Sequence, residues 1–206
     1  MVKVKICGMT NAQDLRMAVE EGADAVGFIF YRKSPRFVAI RTVKEMMSLL
    51  PPFVEAVGVF VDESADRVNR IAESCKLDIV QLHGNESPGY CKKIRRRVVK
   101  AVRVRDEKSF ALLSAYQVSG FLLDTYSEGN QGGTGRTFDW NLVHRGKKYG
   151  PVILAGGLNS DNVSLAVSRV KPYGVDVCSG VEKSPGIKDP EKVRAFIQAA
   201  KGIQDT

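Results

Sequence analysis

Short apolar stretches alternate along the chain with longer ones whose apolar positions recur every three or four residues. The short stretches cover 2–7, 25–30, 55–61, 79–83, 98–104, 120–125, 152–156 and 174–178. They are rich in β-branched and aromatic residues and bounded by turn formers, which predicts strands. The intervening stretches carry helix signals. Thr10 with Gln13 and Thr42 with Glu45 have capping-box spacing, and Asp189 stands before Pro190 as a cap before an N1 proline. Val163–Val170 and residues 193–200 place apolar side chains at helical spacing. A sixth helix, from about Phe138, has the weakest pattern.

Strand and helix signals alternate from end to end with no Gly/Ser linker or composition break. This predicts one domain, 1–206, of the α/β class: a parallel eight-stranded sheet with its helices outside. Closing that sheet removes its edges and makes a (β/α)8 TIM barrel, for which 206 residues is near the short end of a ~200–250 range. An open doubly wound sheet is the structural alternative. In a barrel, function lies at the C-terminal ends of the strands, so side-chain parity there matters. Val4 and Ile6 take the helix-facing parity, leaving Lys5 and Cys7 to point inward. By the same count Gln81, His83, Asp124, Asp176 and Cys178 point in, whereas Val80, Leu82, Phe121, Leu123, Val175 and Val177 point out. Packing alone does not account for polar residues gathering on the inner parity.

Composition narrows the class. With 44% hydrophobic and 26% charged residues the chain can bury a sizeable core. No run nears the roughly 18 apolar residues of a membrane span. The first residues read as a strand rather than a signal or transit peptide, so a cytoplasmic protein is expected. Cys7, Cys75, Cys91 and Cys178 are far apart, and His83 and His144 are isolated. Reduced thiols are therefore expected, with neither a metal site nor a disulfide framework. The net charge of +8 raises a nucleic-acid reading. Its densest run, Lys92-Lys93-Ile94-Arg95-Arg96-Arg97 continuing to Lys100, Arg103 and Arg105, has no interleaved aromatics. It is expected to be a solvated helix end rather than a polyanion site.

Two glycine turns follow strands seven and eight: Gly156-Gly157 and Ser179-Gly180. Those two loops commonly build phosphate sites in such barrels, from backbone N–H groups that glycine lets approach closely. Tight turns alone would also use glycine. Cys7 is either a buried structural thiol or, two residues from Lys5, a thiolate that an ammonium favours. Asp124 is either a turn residue or a carboxyl whose burial in a pocket favours the proton-donating form. Together Cys7 and Asp124 make a candidate general base and general acid.

These segments carry a resemblance. Lys5-Ile6-Cys7-Gly8, Ala23-Asp24-Ala25-Val26-Gly27-Phe28, Ser34-Pro35-Arg36, Val57-Gly58-Val59-Phe60, Gln81-Leu82-His83-Gly84, Leu122-Leu123-Asp124, Gly132-Gly133-Thr134-Gly135 and the two glycine loops resemble the phosphoribosylanthranilate isomerase family of tryptophan biosynthesis. The likeness runs the whole length, in order. Cys178, where serine is expected, and Met9 depart from it. The resemblance implies an Amadori rearrangement of N-(5-phosphoribosyl)anthranilate to 1-(2-carboxyphenylamino)-1-deoxyribulose 5-phosphate, with no metal or organic cofactor. It implies that Asp124 protonates the furanose oxygen and Cys7 removes the C2 proton. It also implies that Arg36 meets the anthranilate carboxylate, the alternative being a surface arginine. Lys5, Gln81, His83 and Asp176 are expected to line or support the substrate pocket, and residues 129–135 to form a lid. Two rivals stand beside this: another sugar-phosphate isomerase or epimerase barrel, and a basic polyanion-binding protein. The expected partner is a small phosphorylated substrate, with no nucleic acid or membrane. The chain is expected to be a monomer or a homodimer, with Pro51-Pro52-Phe53-Val54 either core or a dimer contact.

Overall fold

Eight parallel strands close into one barrel in sequence order, each pairing with the next and β8 with β1. They are β1 (Lys3–Cys7), β2 (Ala25–Ile29), β3 (Glu55–Phe60), β4 (Ile79–Leu82), β5 (Arg97–Arg103), β6 (Gly120–Asp124), β7 (Val152–Ala155) and β8 (Gly174–Val177). The computed structural model describes residues 1–104, 107–111, 113–124 and 140–202. The expected lid, 129–135, lies outside the described residues. The closed ladder excludes the open doubly wound alternative, because no strand of the eight has a free edge.

The helices around the barrel are α1 (Ala12–Glu20), α2 (Ile40–Met47), α3 (Ala65–Ser74), α4 (Pro88–Cys91), α5 (Trp140–Gly146), α6 (Val163–Val170) and α7 (Pro190–Lys201). After β5 the described residues form two 3₁₀ turns, Glu107–Phe110 and Leu113–Ala115, in place of a regular helix. A short antiparallel pair, β9 (Glu182–Ser184) and β10 (Ile187–Lys188), follows β8. Among the described residues no helix is long and apolar enough to cross a membrane.

Two capping expectations fail, and one holds. Asn11 caps α1, its Oδ1 accepting from the Asp14 N–H at 2.8 Å while its Nδ2 donates to Asp14 Oδ2. Thr10 instead donates to the Gly186 carbonyl, tying this loop to the β9–β10 turn. Thr42 lies inside α2, which begins after Ala39 with no side-chain cap. The chain stays bonded to β2 as far as Val38, whose N–H reaches the Ile29 carbonyl, so the helix can start at once. Asp189 does cap α7, accepting from Glu191 and Lys192 ahead of Pro190 at N1.

Apolar side chains separate into an outer layer and a barrel interior. Val4, Ile6, Val80, Leu82, Phe121, Leu123, Val175 and Val177 belong to the layer between strands and helices. Val99, Ala101, Leu122 and Ala155 form a separate cluster in the interior, packed with Ile79 and Ile153. The period-2 alternation of the strands is thus realised as two cores on opposite faces of one sheet. A cavity of about 200 Å³, lined by Lys3, Ala25, Val57, Ile79 and Gly174 among others, opens at the N-terminal end of the barrel.

The basic run is not a helix end. α4 stops at Cys91, and Arg97 already starts β5. Arg95 and Arg96 are exposed, but Lys100 is 3% exposed. Its Nζ donates to Glu86 at 3.0 Å and to the carbonyls of Leu82, Gly84 and Ala101. A buried ammonium has three N–H groups to satisfy, and these acceptors supply the partners. The run therefore contains a structural ion pair under the loop after β4.

Candidate active site

Cys7 ends β1 on the inward parity, with Gly27 of β2 beside it in register. A Cβ on Gly27 would stand 2.7 Å from the Cys7 sulfur, so only glycine leaves the thiol its place. One layer deeper, Lys5 Nζ donates to Asp176 Oδ1 at 2.8 Å and to Gln81 Oε1 at 3.0 Å. Burial works against the lysine's charge, but Asp176 and Cys7 outweigh it and hold the ammonium above its usual value. The Cys7 thiol is lowered from 9.0 to about 6, first by the neighbouring Cys178 thiol and then, against the opposing effect of burial, by the Lys5 charge. The direction of the shift favours the thiolate.

A chain of polar contacts continues across the barrel. The Gln81 oxygen faces the lysine, so its amide N–H₂ must be the donor to His83 Nδ1, 3.1 Å away. That places the imidazole proton on Nε2, which lies 3.4 Å from Asp124 Oδ2. His83 stands one residue beyond β4 and Asp124 at the last position of β6. Their side chains are 26% and 21% exposed, whereas Lys5, Gln81 and Asp176 as residues are all under 9%. The structure thus places Cys7, His83 and Asp124 at the mouth and the other three beneath it, occupied with one another.

Arg36 is brought to the same mouth by the loop after β2. Its Nε and Nη2 form a two-pronged bond to Glu182, with contacts of 2.7–3.0 Å. Burial would raise the Glu182 carboxyl, but Arg36 and Lys188 hold it below the usual carboxylate range. Lys188, fully buried, donates to Glu182 Oε1 at 3.0 Å and to the Cys178 carbonyl at 3.2 Å. Glu182 takes one edge of the guanidinium, so the Nη1/Nη2 edge is the one left to meet a carboxylate. Glu182 and Lys188 escaped the sequence reading. Their available signal was the Ser184-Pro185-Gly186 turn, which closes a hairpin with Glu182 on one arm and Lys188 on the other.

The loops after β7 and β8 meet where Gly180 packs on the Leu158 carbonyl, a position with no room for a Cβ. Gly157 adopts φ +66°, and a Cβ there would meet nothing within 4 Å. Asn162 Nδ2 donates to the Gly157 carbonyl at 2.9 Å, pinning the turn. Among the described residues no acceptor engages the N–H groups of Gly157, Ser179 or Gly180. Gly156, at φ +89°, completes the turn. Unengaged N–H groups on loops that meet at the ends of neighbouring strands are the kind of backbone that can accept an anion. Among the described residues no group of three or more His, Cys, Asp or Glu could hold a metal ion.

Fold and site together define the class: a (β/α)8 barrel with an acid–base mouth at the C-terminal ends of its strands. A family model described as N-(5'phosphoribosyl)anthranilate (PRA) isomerase matches residues 4–199. The N-(5'-phosphoribosyl)anthranilate isomerase of Geotalea uraniireducens is 55% identical over 203 residues, 98% of this chain and 100% of that protein. That of Citrifermentans bemidjiense is 56% identical, covering 98% of each. Among solved structures, phosphoribosyl anthranilate isomerase from Thermotoga maritima superposes with a TM-score of 0.91 at 45% identity, covering 98% of this chain and 100% of that one. The chain belongs to the phosphoribosylanthranilate isomerase family.

Proposed function

We propose that this protein isomerises N-(5-phosphoribosyl)anthranilate to 1-(2-carboxyphenylamino)-1-deoxyribulose 5-phosphate in tryptophan biosynthesis, with Cys7 as general base and Asp124 as general acid. The observation that carries the assignment is the placement of Cys7 above the buried Lys5 ammonium, which favours its thiolate, at a mouth that also holds Asp124. A solved relative, 42% identical, is a complex with reduced 1-(o-carboxyphenylamino)-1-deoxyribulose 5-phosphate. In this reading Asp124 gives a proton to the furanose oxygen, and the C1–O bond breaks as the anilino nitrogen forms the Schiff base. The Cys7 thiolate takes the proton from C2, its electron pair moving into the protonated imine to give an enolamine. Tautomerisation gives the ketone, and no external electron sink is needed.

The deeper residues act through these two. Lys5 and Asp176 set the charge beside Cys7, while Gln81 fixes the His83 tautomer facing Asp124. Glu182 orients Arg36 toward the anthranilate carboxylate. The N–H groups of Gly156, Gly157, Ser179 and Gly180 receive the phosphate. The test is a fluorescence assay with freshly prepared phosphoribosylanthranilate, in which its anthranilate emission should decay on addition of the protein. An unchanged signal with folded protein defeats the reading. Gly157→Glu should raise KM steeply, on the order of tenfold or more, by placing a carboxylate at the anion site. An unchanged KM in that folded variant moves the phosphate elsewhere.

We also infer a homodimer. Phe53 is 95% exposed and lines the cavity at the N-terminal end of the barrel, far from the chemistry. The segment 51–54 is therefore not core at that residue, and a second copy is the occupant that would cover it. A related structure is of monomers generated from a dimeric T. maritima isomerase. Phe53→Lys should shift the elution volume from dimer to monomer on size exclusion. A wild-type chain that already elutes as a monomer removes the inference.

A further inference from the structure

Cys178 is a second sulfur in a site whose proposed chemistry uses one. β1 and β8 run in parallel register with Lys5 opposite Asp176 and Ile6 opposite Val177. The next step along both strands sets Cys7 beside Cys178, on the same inner face as the Lys5–Asp176 pair. Neighbouring strands lie about 4.8 Å apart, inside the ~4.4–6.8 Å window of Cα separations that a disulfide spans. A Cβ on Gly8, the residue after Cys7, would stand 3.0 Å from the Cys178 sulfur, so that sulfur reaches across to the end of β1 where Cys7 sits. β8 ends at Val177, and Cys178 stands outside the ladder with its sulfur 3.9 Å from Glu182 and 4.0 Å from Lys188. The two sulfurs differ in character. The thiol of Cys7 is lowered, whereas the neighbouring Cys7 sulfur and its own burial hold Cys178 above the usual thiol range.

We propose that Cys7 and Cys178 form a peroxide-sensitive dithiol whose oxidation to a disulfide reversibly blocks the site. The Cys7 thiolate attacks one oxygen of hydrogen peroxide. The O–O bond breaks, the departing hydroxide takes a proton to become water, and Cys7 becomes a sulfenic acid. The sulfur of Cys178 then attacks the Cys7 sulfur. The S–S bond forms, the S–O bond breaks, and the hydroxyl leaves with the Cys178 proton as a second water. Two electrons leave the thiols and peroxide is reduced to two waters. A thiol reductant reverses the reaction by exchange. Without a resolving thiol, the sulfenic acid would continue to the irreversible sulfinic acid. Cys75 and Cys91 are poorer nucleophiles, because burial raises both thiols.

The bond itself is independent of the catalytic reading of Cys7; the loss of activity rests on that reading. Wild-type protein treated with a small molar excess of hydrogen peroxide should lose more than about nine-tenths of its activity, the scale expected when a general base is removed. Dithiothreitol should restore it. Proteolysis without reductant should yield the Cys7 and Cys178 peptides covalently joined. Cys178→Ser, compared with its own untreated activity, should stay inactive after dithiothreitol, with Cys7 found as sulfinic acid. Absence of the joined peptide from the wild type, or equal recovery of Cys178→Ser, would overturn the dithiol. Joined peptides with activity retained would uphold the dithiol and overturn Cys7 as the base.

Discussion

Cys7→Ser should lower kcat by about a hundredfold or more while leaving the thermal midpoint nearly unchanged. Serine has almost the volume of cysteine, so the interior around Lys5 and Gly27 keeps its packing. What disappears is the ionised sulfur, since a hydroxyl scarcely ionises at neutral pH. The pH profile makes the same point more specifically. A base that works as thiolate is active above its pKa, and here that value is depressed to about 6. kcat/KM should therefore be flat at neutral pH and fall by about tenfold per unit as pH drops below that value. An ordinary thiol, near 9, would place the limb on the alkaline side of neutrality instead. Iodoacetamide should inactivate the enzyme through Cys7, and a bound product analogue should protect it. Normal turnover by Cys7→Ser means another group removes the C2 proton, and the mechanism fails with it.

For Asp124→Asn the expected loss in kcat is on the order of 10²–10⁴, with a smaller effect on substrate affinity. Asparagine keeps the shape at the end of β6 and a contact to His83, but it has no acidic proton for the furanose oxygen. The geometry also names the substitute donor to be excluded. His83 carries its proton on Nε2, 3.4 Å from Asp124 Oδ2. Near-wild-type turnover in Asp124→Asn, abolished by adding His83→Asn, would transfer the acid role to the histidine. Large loss in the first variant alone keeps it with Asp124.

Much of this molecule was legible in one dimension because a barrel strand obeys a strict period of two. The alternation Val4/Ile6 against Lys5/Cys7 could only mean two faces, and the outer and inner cores fall on those faces. The glycine turns after β7 and β8 were readable for a similar reason. A backbone that must turn tightly and leave its N–H groups outward needs a residue without a Cβ at positions such as Gly157. Local signals were less dependable at helix starts. Thr10 has the right spacing for a cap, yet the β9–β10 turn competes for its hydroxyl and wins, leaving the cap to Asn11.

Partnerships between residues far apart in the chain were decided only by the closed barrel. Glu182 and Lys188 are two charges near the C-terminus until the fold buries them against Arg36, 146 positions from Glu182. Lys100 reads as one more base in a basic run until β5 carries it under the β4 loop, where desolvation forces it onto Glu86. The same holds for the sulfurs. Parity assigned both Cys7 and Cys178 to the inside, but closure of β8 on β1 made them neighbours. Local pattern determines which way a side chain faces, because that depends on strand period alone. Which charge or thiol it meets depends on ring closure, which brings chain ends together and excludes the water that would otherwise screen them.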